Sequence, residues 1–230
     1  QKATIIKLKS SANVNIISQK NDGQGSGISD MTIDGNDTNN TQGGIYLQGV
    51  DGQRGPSWTV ERITITNTNN CVMSTGVKSC FYIAGNTWSV VRDVDIFNNN
   101  EAQIAFWVSS ADGVYDGVYL GSNGNNFTGT VYGLYVTSSS NTFAKCYFGG
   151  SQPGDQVTLY GASASSNKFT DCLFDNGGGN QLTIINNAVN NRFTSCSFSY
   201  SSFTFSGTKY TVYNGVTNSG AMFIGCRFSS

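Results

Sequence analysis

Apolar residues in this chain recur in pairs two positions apart, and the pairs themselves return every 24 to 32 residues. The clearest copies are Asn141-Thr-Phe143-Ala-Lys-Cys146-Tyr-Phe148, Asn167-Lys-Phe169-Thr-Asp-Cys172-Leu-Phe174 and Asn191-Arg-Phe193-Thr-Ser-Cys196-Ser-Phe198. A fourth, Phe223-Ile-Gly-Cys226-Arg-Phe228, lacks the Asn. Toward the N-terminus aliphatic residues fill the same slots: Ile6, Met31, Ile63, Val94 and Val118 stand for Cys, and Leu8, Ile33, Ile65, Ile96 and Leu120 stand for the second Phe. Each unit holds a second alternating run, such as Ile45-Tyr-Leu47, Phe81-Tyr-Ile83, Ala105-Phe-Trp107, Leu134-Tyr-Val136, Val157-Thr-Leu159 and Leu182-Thr-Ile184; in the first unit that run is Val14-Asn-Ile16. Alternation means half-buried strands, and two or three short strands per unit with no helical period between them describe one turn of a solenoid. The expected fold is therefore all-β, a parallel β-helix of about nine coils forming one domain over residues 1–230. A one-residue slip would turn every core slot outward, so Met31 through Cys226 should form one inward stack.

Composition fits that picture. Charged residues are 12% of the chain, against about 25% in average globular domains, and Gly, Asn, Ser and Thr replace them. Residues in one slot of a solenoid stack on their own kind, so uncharged polar side chains are favoured there. Asn67, Asn98, Asn141, Asn167 and Asn191 recur at turns, where Asn tolerates the left-handed conformation and bonds neighbouring backbone. The formal net charge is −1 with no basic run, which argues against nucleic acid as a partner. No apolar stretch approaches the roughly 20 residues of a membrane-spanning helix. Neither end reads as a cap, so the terminal coils are expected to be covered by flanking sequence or another subunit of a homo-oligomer.

Four of the six cysteines occupy one slot in successive coils. Strand spacing of about 4.8 Å exceeds the Cβ separation a disulfide wants, so Cys146, Cys172, Cys196 and Cys226 are expected as a reduced, buried ladder. Cys71 and Cys80 flank one loop and could be bridged or free. The chain has no His and no CxxC, so no metal site and no cofactor are expected.

Three sets of outward positions carry candidate chemistry. In the second run the middle residues Tyr46, Tyr82, Phe106 and Tyr135 would form an aromatic ladder suited to the C–H faces of sugars, to a subunit contact or simply to packing on the sheet, with Trp107 in the core. The rows Asp30–Arg62–Asp93 and Glu61–Arg92–Asp116 alternate in sign and read as cross-coil ion pairs, with the bend at Glu61, Arg92 and Asp116. Asp95 has no such explanation. With Asp93 about 6.5–7 Å along the strand, or Asp116 on the next coil, it offers a carboxylate pair near the spacing of inverting glycosidases. Trp58 and Trp88 are expected to stack as a corner.

The phrases Ala3-Thr-Ile-Ile-Lys-Leu8 and Gly27-Ile-Ser-Asp-Met-Thr-Ile-Asp-Gly-Asn36, together with the Asn-x-Phe-x-x-Cys-x-Phe coils, resemble the pectin-lyase-like superfamily, which implies a right-handed parallel β-helix. The likeness is to the pectate-lyase-3 type domains of viral tail spikes and microbial surface proteins. It implies an extracellular, virion- or cell-surface protein that recognises polysaccharide, often with glycosidase or lyase activity. It supplies no site: the Asp pair with Gly-His-Gly of polygalacturonase-like members has no counterpart, and neither does the clustered Asp with catalytic Arg of calcium-dependent pectate lyases. The alternative function is a structural, self-assembling surface or filament protein.

Overall fold

The computed structural model describes residues 4–20, 26–36, 40, 43–48, 58–69, 79–85, 88–100, 102–124, 129–150, 154–175, 178–199, 212–217 and 219–229. Every strand pairing is parallel, and the described residues contain no helix. The first sheet runs β1 (Thr4–Lys7), β3 (Gly27–Asp34), β5 (Trp58–Thr66), β7 (Ser89–Phe97), β9 (Val114–Gly121), β11 (Thr142–Ala144), β14 (Lys168–Thr170), β17 (Arg192–Thr194) and β20 (Met222–Ile224). From β9 onward its second half continues as the separate short strands β12 (Tyr147–Phe148), β15 (Leu173–Asp175), β18 (Ser197–Ser199) and β21 (Arg227–Ser229). The second sheet runs β2 (Ile17–Lys20), β4 (Ile45–Gln48), β6 (Ser79–Gly85), β8 (Ile104–Ser110), β10 (Tyr132–Val136), β13 (Asp155–Tyr160), β16 (Leu182–Ile185) and β19 (Val212–Asn214). Consecutive strands alternate between the sheets as far as β10, which is the winding the repeat predicts.

The core lies between the sheets. Ile63, Val94, Val118, Cys146, Cys172 and Cys196 are all at most 2% exposed, whereas Met31 and Cys226 at the ends of the stack are half-buried. Instead of nine equal coils there are about six turns, in which the Cys and Phe slots are both buried. The first coil is also shifted: Thr4 pairs with Met31 and Ile6 with Ile33, and the second strand is β2 rather than Val14-Asn-Ile16. An end coil packs on one neighbour only, so burial constrains its register less.

Two aromatic ladders fill the late coils. Tyr115, Phe143, Phe169, Phe193 and Phe223 stack at 4.6–4.9 Å between successive ring centroids. Phe148, Phe174, Phe198 and Phe228 form the second, at 4.4–5.3 Å. The cysteine thiols beside them are free. Each Sγ donates toward the carbonyl two residues earlier and one on the preceding coil, as Cys172 does to Thr170 (3.4 Å) and Phe143 (3.5 Å). Hydrogen bonding along the ladder and burial push the Cys172 and Cys196 thiols well above the ordinary range, so they stay protonated. Cys71 lies outside the described residues, and with it the bridging alternative. Trp58 is buried and Trp88 is 69% exposed, so they form no shared corner.

Asp30, Arg62, Asp93, Gly117, Lys145, Asp171, Ser195 and Gly225 all have φ between 50° and 64°. This left-handed column is the bend of the first sheet, one residue later than expected. It lets two successive side chains face outward, as Arg92 and Asp93 do. Asn67 and Asn98 also take positive φ, and the residues beyond them form the buried ladder, with Asn99 Nδ2 donating to Asn123 Oδ1 at 2.8 Å. Asn141, Asn167 and Asn191 form another: Asn141 and Asn167 each donate from Nδ2 to the next Oδ1 at 3.1 Å, and their backbone N–H groups donate to the same Oδ1 atoms at 3.0 Å.

Candidate functional site

On the outer face of the second sheet Tyr46, Tyr82, Trp107 and Tyr135 stand in register on β4, β6, β8 and β10. Successive ring centroids are 5.3, 4.8 and 5.8 Å apart. Tyr132 and Tyr160 widen the surface, at 4.9 and 5.6 Å from Tyr135. Phe106 is not part of it. Its ring is fully buried and stacks on Phe81 at 4.6 Å, and Trp107 takes the outward place assigned to it. The apolar run Ile104–Val108 shows no alternation, so its phase is set by the neighbouring strands.

Tyr46 is only 6% exposed and bonds Gln48 Oε1, so the open part of the face begins at Tyr82. Trp107 Nε1 donates to Thr137 Oγ1 at 3.0 Å, which fixes the indole edge and leaves the ring half-buried. Burial, then the neighbouring Tyr132 and Tyr160, push the Tyr135 phenol up; burial, Asp155 and Tyr160 do the same for Tyr132. These phenols remain hydroxyl donors at neutral pH.

Asp155, directly in register with Tyr132, closes the face. Its Oδ2 accepts from Thr183 Oγ1 at 2.6 Å and its Oδ1 from the Asn180 backbone N–H at 2.8 Å, while Asn180 Nδ2 donates to Thr183 Oγ1 at 3.1 Å. Asp155 is not among the candidates drawn from the sequence, because it stands before the apolar run Val157-Thr-Leu159 rather than at its middle position. Its spacing to Val157-Thr-Leu159, matching Tyr132 to Leu134-Tyr-Val136, was the available signal.

The carboxylates Asp93, Asp95 and Asp116 lie on the outer face of the first sheet, with the core between them and the aromatic ladder. Asp95 pairs in register with Thr64 and Tyr119, and Asp116 with Arg92. Asp93 occupies the left-handed bend, so the extended-strand spacing to Asp95 does not apply; its Oδ1 sits against Gly117, where a Cβ would lie 2.9 Å away. Arg62 grips Asp30 through two bonds of 2.7 and 2.8 Å and holds its carboxyl down to about 2, and Arg92 reaches Glu61 at 3.2 Å. Neither Asp93 nor Asp116 forms an ion pair with a described residue. Partial enclosure, then the nearby Asp93 carboxylate, raises Asp95 above the usual carboxylate range. Beside it the Tyr119 and Tyr147 rings stack at 4.8 Å and lean over Gly121 and Gly149, where a Cβ would come within 2.7 Å of a ring carbon in each case. Burial, and then the bond that Tyr147 donates to Asp175 Oδ2 at 3.0 Å, push its phenol up to about 12.

Among the described residues no group of three His, Cys, Asp or Glu is placed to hold a metal ion. No family model matches the sequence, and no curated protein matches it. Solved structures do match in three dimensions, among them two mannuronan C-5 epimerase A-modules of Azotobacter vinelandii. The AlgE4 A-module aligns over 99% of this chain and 77% of its own, with TM-score 0.58 and 15% identity. The AlgE6 A-module aligns over 98% of this chain and 55% of its own, with TM-score 0.67 and 15% identity. The chain has the right-handed parallel β-helix of the pectin-lyase-like fold. At this identity the likeness speaks for the fold alone, and the function must be argued from the faces just described.

Proposed function

We propose that this chain binds a polysaccharide along the outer face of its second sheet, as an extracellular, tail-spike-like recognition domain. The observation that carries the reading is the in-register ladder Tyr82–Trp107–Tyr135, widened by Tyr132 and Tyr160 and followed by hydroxyl and carboxylate groups. Aromatic faces suit sugar C–H faces, and phenols held protonated suit their hydroxyls. The fold neighbours are named for action on a polysaccharide, which supports the same class of ligand. Calorimetric titration with oligosaccharides tests it. Tyr82→Ala, Trp107→Ala and Tyr135→Ala should each weaken binding by roughly 1 kcal/mol or more while leaving the protein folded. Unaltered affinity in all three would remove the platform.

A second reading places depolymerisation on the other face, because Asp95 is held above the usual carboxylate range as a general acid requires. A raised folded-state pKa favours the protonated form. Its contribution to stability is present below the ordinary carboxylate value of about 4 and is lost as pH rises through the raised value. Asp95→Asn should therefore melt slightly higher than the parent near pH 7, a difference that closes by about pH 3, and should abolish any depolymerisation. Retained activity would end this second reading.

A further inference from the structure

We propose that the glycan taken by the aromatic face is uncharged, and that Asp155 sets this preference. The inference rests on the binding reading above and narrows it to a substrate class. Strands β4, β6, β8, β10, β13, β16 and β19, which carry the face from Tyr46 to Tyr213, contain no Lys and no Arg. Their only acid is Asp155. The lysine of the sheet is Lys20 on β2, in register with Gln48 and separated by β4 from the open ladder that begins at Tyr82. A face that held a uronic-acid polymer would have to desolvate one carboxylate per sugar ring, and each would need a guanidinium or ammonium to replace its water. The strands of the face supply none. The positions flanking the ladder carry Gln48, Ser109, Thr137 and Tyr160, which are hydroxyl and amide groups matched to uncharged sugar hydroxyls.

Asp155 sharpens the choice. Each of its oxygens already accepts one bond, from Thr183 Oγ1 and from the Asn180 N–H, which orients the group rigidly. A carboxylate offers about four lone-pair sites, so two remain for hydroxyl donors of a sugar seated on Tyr132 and Tyr135. A sugar hydroxyl gains a charge-assisted bond there, whereas a second carboxylate meets a like charge beside partly buried rings, where screening is weak. Discrimination by an unfavourable pairing is a common route to specificity.

The test compares linear neutral hexasaccharides (β-glucan, mannan and xylan) with hexagalacturonate and hexamannuronate, by calorimetry on the intact protein. At least one neutral ligand should bind about tenfold or more tightly than either uronate, since like-charge contacts discriminate at that scale. Raising the salt should strengthen any uronate binding and leave neutral binding unchanged, because it screens repulsion only. This measurement needs no variant. Asp155→Asn should lower neutral affinity about three- to tenfold, the scale of one net hydrogen bond, and raise uronate affinity. Thr183→Val, which keeps the charge, should preserve the discrimination. Uronates binding as tightly as the neutral ligands would overturn the inference while leaving the binding face intact. Discrimination unchanged in a folded Asp155→Asn protein would overturn the role of Asp155. Failure of every hexasaccharide to bind would overturn the binding reading itself.

Discussion

Phe169→Ala should destabilise the solenoid by about 3–5 kcal/mol, the usual cost of truncating a fully buried phenylalanine. The ring is fully buried and stacks on Phe143 at 4.6 Å and on Phe193 at 4.9 Å, with Phe174 at 6.0 Å. Flanking backbone is pinned by strand pairing on both sides, so the cavity has little means of collapsing. Chemical denaturation of the variant beside Lys168→Ala, an exposed neighbour on the same strand, measures the difference. A loss below about 1 kcal/mol would show that the ladder packs more loosely than the stacking implies.

Asn167→Ala should cost nearly as much, about 3 kcal/mol, for a different reason. Asn167 is fully buried, and its Oδ1 accepts from both the N–H and the Nδ2 of Asn141 while its Nδ2 reaches Ser138 O and Asn191 Oδ1. Truncation leaves at least two buried groups without partners, at about 1–3 kcal/mol each. Hydrogen exchange provides the check. Protection of the Asn141 amide should fall further than that of Phe143, and an even loss across the coil would mean that the asparagine ladder does not act locally.

The late coils could be read from sequence because Phe169 and Cys172, Phe193 and Cys196 combine a large and a small apolar residue in slots that polar residues separate. The face they bury was therefore never in doubt. The first coil was harder: Thr4-Ile-Ile-Lys7 is apolar in the middle and packs against one neighbour, so Ile6 settles beside Ile33 instead of Met31. Phe106 and Trp107 were exchanged because five apolar residues in a row carry no phase, and only the pairing of Phe81 with Phe106 supplies it. The left-handed bend at Arg62 and Asp93 was hidden for another reason. Nothing in a charged side chain announces positive φ, and the column persists because both neighbouring coils share it. Separation of Asp95 from the ladder was legible, because Asp95 directly follows the Cys slot of its unit whereas the ladder occupies the second run, and the two runs build different sheets.

The account stands on where a glycan sits, and tryptophan emission reports this most directly. Trp58 is buried at 1% exposure, Trp88 is 69% exposed and immediately precedes β7 of the first sheet, and Trp107 lies within the ladder on the second. In a Trp88→Phe protein, oligosaccharide titration should shift the emission with the same midpoint that calorimetry gives, and Trp107→Phe in that background should abolish the shift. Saturable binding with no change in Trp107 emission would place the glycan elsewhere and contradict the account.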